Sequence, residues 1–122
     1  MSFLLSVALL TICWQGPINE VIENSKLQEL LKSDGVQLID VRTPEEWSYG
    51  IIEGATKIDY YDPDFMQKVS ELQKDQPVVL YCAAGGRSHQ AANRLKEAGF
   101  QEIYDLGGGF RGWVAEGLPS VK

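Results

Sequence analysis

The sequence contains few cysteines and few basic residues. Its two cysteines, Cys13 and Cys82, do not indicate a structural disulfide, because Cys13 precedes the domain pattern and Cys82 lies in a segment that needs a free thiol. Eleven Lys and Arg stand against 17 Asp and Glu, for a net charge of −6. This acidic balance argues against nucleic acid as a partner. The 122 residues show no internal repeat or low-complexity tract and fit one domain.

Charge is also missing from the beginning of the chain. Residues 1–19 carry no charged side chain, and Phe3 to Trp14 is a nearly continuous apolar run. A spanning helix needs about 20 apolar residues, so the run is closer in length to the apolar region of a signal peptide. We expect residues 1–16 to export the protein, to the periplasm for example, or to tether it to a membrane, and residues 17–122 to form the domain. The alternative is a cytoplasmic protein in which this segment packs on the domain or pairs with another copy.

Predicted strands and helices alternate along the rest of the chain. Short apolar runs rich in β-branched residues predict strands, and apolar residues at helical spacing predict the segments between them. This alternation predicts an α/β fold with a mainly parallel central sheet of about five strands flanked by helices. The strands are expected at residues 18–22, 36–41, 55–59, 78–81 and 101–106. Helix-start signals stand at Ser25 with Gln28, Thr43 with Glu46, and Asp62 with Pro63.

The segment from Tyr81 to Ser88 places a thiol, two glycines and a guanidinium group between an apolar strand and an amphipathic helix. Backbone N–H groups of such a turn, and the positive end of the helix dipole, favour a thiolate over a thiol. Cysteines in such positions commonly have their pKa lowered from about 8.5 to roughly 3.5–7.5. Cys82 is therefore predicted to be a nucleophile, although a free cysteine without these neighbours is more often a small buried hydrophobe.

The residues after Cys82 predict an anion-binding loop. Gly85 and Gly86 allow the backbone to approach an anion closely, and Arg87 supplies a planar set of donors. Four residues separate Cys82 from Arg87, so the loop encloses little space.

These segments resemble the rhodanese (thiosulfate sulfurtransferase-like) superfamily from about Ile18 onward. One departure is Ile51, where many members have a histidine. The resemblance implies a rhodanese-like fold in a single-domain protein. The matching segments include Asp40-Val41-Arg42, Glu45-Glu46-Trp47, Gly54-Ala55, Cys82 to Ser88, Leu106 to Gly109, and Trp113.

The resemblance also implies transfer of a sulfane sulfur. The family's cysteine, here Cys82, attacks a small anionic donor such as thiosulfate, becomes a persulfide, and passes the sulfur to cyanide, a thiol or a protein acceptor. Arg87 would pair with the departing sulfite or orient the donor. No metal or organic cofactor is required. The loop residues that would bind substrate with Arg87 are Ala83, Ala84, Gly85, Gly86 and Ser88.

Three further polar residues have two interpretations each. Asp40 and Arg42 lie at the carboxyl end of a predicted strand. They are expected either to support the site or to act locally, Asp40 by binding backbone and Arg42 by forming a salt bridge. His89 is the single histidine and is expected to be a solvated helix residue, with a general base as the alternative.

Two rival functions come from other classes. A cysteine phosphatase also pairs Cys with Arg before a helix, but its loop has one more residue between them. A non-catalytic rhodanese-like regulatory module is common when the cysteine is lost, whereas this chain retains both Cys82 and Arg87. A persulfide carrier that serves one protein partner is a variant of the sulfurtransferase interpretation.

Overall fold

The computed structural model describes residues 16–122, so the expectation for the apolar segment 1–16 falls, apart from Gly16, outside the described residues. Strands and helices alternate over this range, as predicted. No helix of residues 16–122 combines the length and apolarity needed to cross a membrane. The elements are β1 (Ile18–Ile22), α1 (Asn24–Leu30), β2 (Gln37–Asp40), α2 (Pro44–Trp47), β3 (Thr56–Lys57), α3 (Phe65–Val69), β4 (Val78–Tyr81), α4 (Gly86–Glu97), β5 (Glu102–Leu106) and α5 (Gly109–Ala115).

The five strands form one sheet in the order β1-β5-β4-β2-β3, and every pair of neighbours is parallel. This confirms the predicted α/β fold and its parallel sheet. Asp40 pairs with Tyr81 across β2 and β4, and Leu80 pairs with Asp105 across β4 and β5. The carboxyl ends of these three strands therefore lie side by side, where sites of parallel α/β proteins collect.

Strand β4 is buried on both faces of the sheet. Its residues alternate between two hydrophobic clusters: Val78 and Leu80 belong to one, and Val79 and Tyr81 to the other. This is the expected pattern for a central parallel strand covered by helices on both sides. Cys82 continues the first alternation, which points its side chain toward the layer that contains α4.

Two helix-start predictions are wrong. α1 begins at Asn24 after an N-cap at Glu23, without a side-chain cap, so Ser25 and Gln28 do not form a capping box. Instead, the buried Asn24 side chain donates from Nδ2 to the Gly112 carbonyl at 3.2 Å, a tertiary contact that places Asn24 inside the helix.

The start predicted at Asp62 and Pro63 lies ahead of the observed helix. α3 begins at Phe65 with Asp64 as its N-cap. The Asp62 carboxylate accepts the Asp64 N–H at 2.8 Å and pairs with Lys68, so Asp62 forms a turn before the helix.

Candidate active site

Cys82 directly follows β4 and is 1% exposed. Its Sγ accepts the Gly85 N–H at 3.1 Å, and the Ser88 Oγ lies 3.5 Å away. Burial raises the pKa of the thiol, but the Ser88 hydroxyl and the N–H groups of Ser88, Ala84 and Gly85 outweigh it, and the pKa of Cys82 lies below its usual value. The direction is the one that the sequence predicts, with backbone and hydroxyl donors as the cause.

The two loop glycines have different roles. Gly85 has φ +103°, and a Cβ there would lie 2.7 Å from the Gly107 carbonyl oxygen. Both the conformation and the close approach therefore require glycine at this position. Gly86 begins α4 with no atom within 4 Å of the place where its Cβ would lie. Only Gly85 is needed to shape the loop around Sγ.

The first turn of α5 holds the Cys82 loop from the other side. The Phe110 N–H donates to the Cys82 carbonyl at 2.8 Å, and the Arg111 N–H donates to the Ala83 carbonyl at 3.1 Å. Gly109 has φ +62°, and a Cβ there would lie 2.5 Å from the Ala83 carbonyl oxygen. These contacts fix the backbone on which Sγ stands.

Arg87 forms a two-bond ion pair with Glu46 of α2. Nη1 and Nη2 donate to Oε1 and Oε2 at 2.6 and 2.8 Å. The hydrogen bonds from Arg87 lower the pKa of Glu46 to about 2, more strongly than burial raises it. Glu46 also completes the predicted capping box with Thr43. Arg87 was expected to meet an anionic donor; its partner in the protein is a carboxylate, which sequence reasoning placed only as a capping residue.

Asp40 and Arg42 form a buried pair beside the loop. Arg42 Nη2 donates to Asp40 Oδ2 at 2.8 Å and to the Gly50 carbonyl at 2.6 Å. The Arg42 guanidinium also lies 4.1 Å from the Phe110 ring centroid. Both side chains use their hydrogen bonds on one another and on local backbone, which favours a structural role over direct catalysis.

A third carboxylate, Asp105 of β5, lies next to Ser88 of the loop. The Ser88 Oγ lies 2.5 Å from Asp105 Oδ1, and His89 Nδ1 lies 3.5 Å from Oδ2. Asp105 is 2% exposed, and burial raises its pKa. The His89 side chain is 62% exposed, as expected for a solvated helix residue. Sequence reasoning missed Asp105, whose only signal is a carboxylate between Tyr104 and Leu106 in a strand.

Comparison with known proteins agrees with this geometry. The sequence profile of the Rhodanese-like domain matches residues 23–116. The chain belongs to the rhodanese-like domain family. A sulfurtransferase of Allochromatium vinosum is 36% identical over 104 residues, which cover 85% of this chain and 95% of that protein.

Two further rhodanese relatives extend the comparison. Thiosulfate sulfurtransferase 16, chloroplastic, of Arabidopsis thaliana is 36% identical over 96 residues, covering 70% of this chain and 80% of that protein. The crystal structure of a rhodanese-related protein from Thermoplasma volcanium superposes with a TM-score of 0.74 at 31% identity, over 84% of this chain and 97% of that one. The expected family and fold are confirmed.

Ile51, the departure from the rhodanese pattern, takes part in backbone pairing. Its N–H donates to the Val121 carbonyl at 2.8 Å, and its carbonyl accepts the Val121 N–H at 2.9 Å. Any side chain can make this antiparallel bridge, so the pairing does not depend on the residue type at position 51.

Proposed function

We propose that this rhodanese-like domain transfers a sulfane sulfur through a persulfide on Cys82. The observation that carries the proposal is the Sγ environment: a buried sulfur that accepts the Gly85 N–H at 3.1 Å and whose pKa is lowered by the loop donors. A thiolate held in this way is a prepared nucleophile.

In the first step, the Cys82 thiolate attacks the outer sulfur of a donor such as thiosulfate. The new S–S bond forms as the bond to sulfite breaks, and sulfite leaves with the electron pair. In the second step, a thiol or cyanide attacks the outer persulfide sulfur, and Cys82 leaves as a thiolate. Loop N–H groups stabilise the negative charge at both stages.

Mass spectrometry of the intact protein tests the proposal. Incubation with thiosulfate should add one sulfur, and cyanide should remove it. Cys82→Ser should abolish the added mass and turnover while preserving the circular dichroism spectrum. The matched variant Cys13→Ser should retain the added mass and the turnover. Full turnover by Cys82→Ser would overturn the proposal.

One observation favours a persulfide carrier for a protein partner as the second candidate. Glu46 neutralises Arg87, so the site offers little net positive charge to a dianion such as thiosulfate. An uncharged alkyl persulfide donor does not need that charge, because the Cys82 thiolate attacks its terminal sulfur and an alkyl thiolate leaves. Persulfide formation that is much faster with an alkyl persulfide than with thiosulfate would support the carrier, and the reverse order would support the thiosulfate enzyme.

The phosphatase alternative has its own test. Four residues between Cys82 and Arg87 leave a small loop, so we expect no appreciable hydrolysis of an aryl phosphate. Inserting one glycine between Gly85 and Gly86 should lower sulfur transfer, because it widens the ring of N–H donors around Sγ. Phosphatase activity of the unmodified protein that depends on Cys82 would replace the sulfurtransferase proposal.

A further inference from the structure

A line of polar groups runs from the buried thiol to the protein surface. Cys82 Sγ lies 3.5 Å from Ser88 Oγ, which lies 2.5 Å from Asp105 Oδ1. On the far side of the carboxylate, Oδ2 lies 3.5 Å from Nδ1 of His89, whose side chain is 62% exposed. The sulfur transfer chemistry described above uses Cys82 and its loop donors but gives Asp105 no role.

The hydroxyl of Ser88 has one proton and three neighbours that can accept it. They are Asp105 Oδ1 at 2.5 Å, the Gly85 carbonyl at 3.2 Å and Cys82 Sγ at 3.5 Å. While Asp105 is ionised, the short contact takes this proton, and a Ser88 lone pair is left to accept from the thiol S–H. Once Asp105 is protonated, the acid can donate to Ser88, and the hydroxyl proton is free for the thiolate. One proton is therefore held either by Asp105 or by Cys82, and binding to one of them weakens binding to the other.

We propose that Asp105 takes the proton of the Cys82 thiol through the Ser88 hydroxyl. The S–H bond breaks with its electron pair left on sulfur, the proton binds Ser88 Oγ, and the proton originally on Ser88 moves to Asp105 Oδ1. Asp105 is then a positioning residue for the nucleophile. The inference rests on the proposed function only in taking Cys82 as the reacting group.

The surroundings suit a shared proton. Burial favours the neutral form of Asp105, and the residues opposite it on β1 and β4 are the apolar Val21 and Leu80. His89 of α4 has the opposite effect to burial and lowers the pKa of Asp105. The Cys82 thiolate and the Arg87 guanidinium interact electrostatically, and Arg87 also forms an ion pair with Glu46 of α2. Arg87 is already paired with Glu46, so Asp105 supplies a proton acceptor in addition to the loop donors that favour the thiolate.

The pH dependence of alkylation tests the proposal without sulfur transfer. The rate at which iodoacetamide modifies Cys82 is measured in a Cys13→Ser background. Two groups that share a proton titrate in two steps separated by more than about one pH unit. We expect two steps in the parent protein and one in Asp105→Asn, because the amide cannot take a proton. Glu102→Gln, the matched carboxylate change on β5, should keep two steps.

A second variant separates this role from damage to the fold. In Asp105→Asn the amide N–H can donate to Ser88 Oγ, so the Ser88 hydroxyl proton is free to bind the Cys82 thiolate. The single step of the alkylation profile should therefore lie at lower pH than the upper step of the parent protein. Ser88→Ala removes that donor and should move thiolate formation to higher pH. Two steps retained in Asp105→Asn, one step in the parent, or shifts of both variants in the same direction would overturn the inference. Persulfide formation with any of these results would leave the proposed function standing.

Discussion

The carboxylate of Glu46 binds the guanidinium of Arg87 through two hydrogen bonds of 2.6 and 2.8 Å, between residues 41 positions apart. One residue belongs to the capping box of α2 and the other to the first turn of α4. The pair joins the two segments that border the site and cancels the charge of Arg87. One N–H of each terminal nitrogen is used, which leaves the other donors of the guanidinium available to a bound anion.

Changing the charge of this pair should alter the choice of donor. Glu46→Gln frees the charge of Arg87 and should raise kcat/KM for thiosulfate about fivefold, the effect of roughly 1 kcal/mol, with little change for an alkyl persulfide. Arg87→Ala should lower kcat/KM for thiosulfate by about tenfold or more, because a hydrogen bond to a charged group contributes roughly 1.5–3 kcal/mol. Equal losses for both donors in Arg87→Ala would show that Arg87 mainly holds the loop.

The same pair should make stability depend on acid. The pKa of Glu46 is lowered from 4.5 to about 2 in the folded protein. A carboxyl with a lowered pKa stabilises the native state fully above its unfolded pKa and loses that contribution as pH falls toward the folded value. The melting temperature of Glu46→Gln should therefore be lower than that of the parent above pH 4.5, and the two should converge as pH approaches 2. A constant difference across this range would contradict the assignment.

Adding a methyl group at Gly109 should displace the Cys82 loop. Its Cβ would lie 2.5 Å from the Ala83 carbonyl oxygen, and the backbone has φ +62°. We expect Gly109→Ala to cost about 1–3 kcal/mol of unfolding free energy and most of the sulfur transfer. Gly112→Ala on the same helix meets nothing within 4 Å and is the matched control, with unchanged or higher stability. Urea unfolding and turnover of both variants give the comparison.

Removing one partner of the buried Asp40–Arg42 pair should cost more stability than any change on the surface. Arg42→Met leaves the Asp40 carboxylate buried and unpaired, an effect of about 3–5 kcal/mol. Because neither side chain bonds to Cys82, the folded fraction should still form a persulfide. Persulfide loss in a variant shown to be folded by circular dichroism would move Arg42 into the sulfur-transfer site.

The apolar N-terminal segment is predicted to determine where the protein is located in the cell. Deleting residues 1–15 should preserve melting temperature and sulfur transfer, because the five strands that the structure describes all lie at Ile18 or later. The same deletion should move the protein from the exported or membrane fraction into the cytosol. Fractionation of cells that express both forms provides the measurement; an unfolded deletion protein would instead make the segment part of the core, and an unchanged location would argue against targeting.

Some local patterns were predicted correctly from the sequence, and contacts between distant residues were not. The Thr43–Glu46 capping box forms as predicted, whereas the one predicted at Ser25 and Gln28 does not, and there the helix begins at Asn24, whose side chain contacts Gly112. The Cys82 loop was predicted from the strand before it and the helix after it. The interactions of Arg87 with Glu46 and of Ser88 with Asp105 depend on which elements become neighbours, and nothing in the local pattern encodes them.

The order of the strands also determines when the nucleophile becomes active during synthesis. Among the described strands, β1 is an edge strand that pairs with β5. Ile18 is synthesised early, but its partner Glu102 is synthesised 84 residues later. The loop carbonyls, in turn, wait for the N–H groups of Phe110 and Arg111. A nascent chain on the ribosome therefore carries Cys82 as an ordinary thiol. The reactive sulfur is assembled only when the segment through Arg111 has emerged and folded.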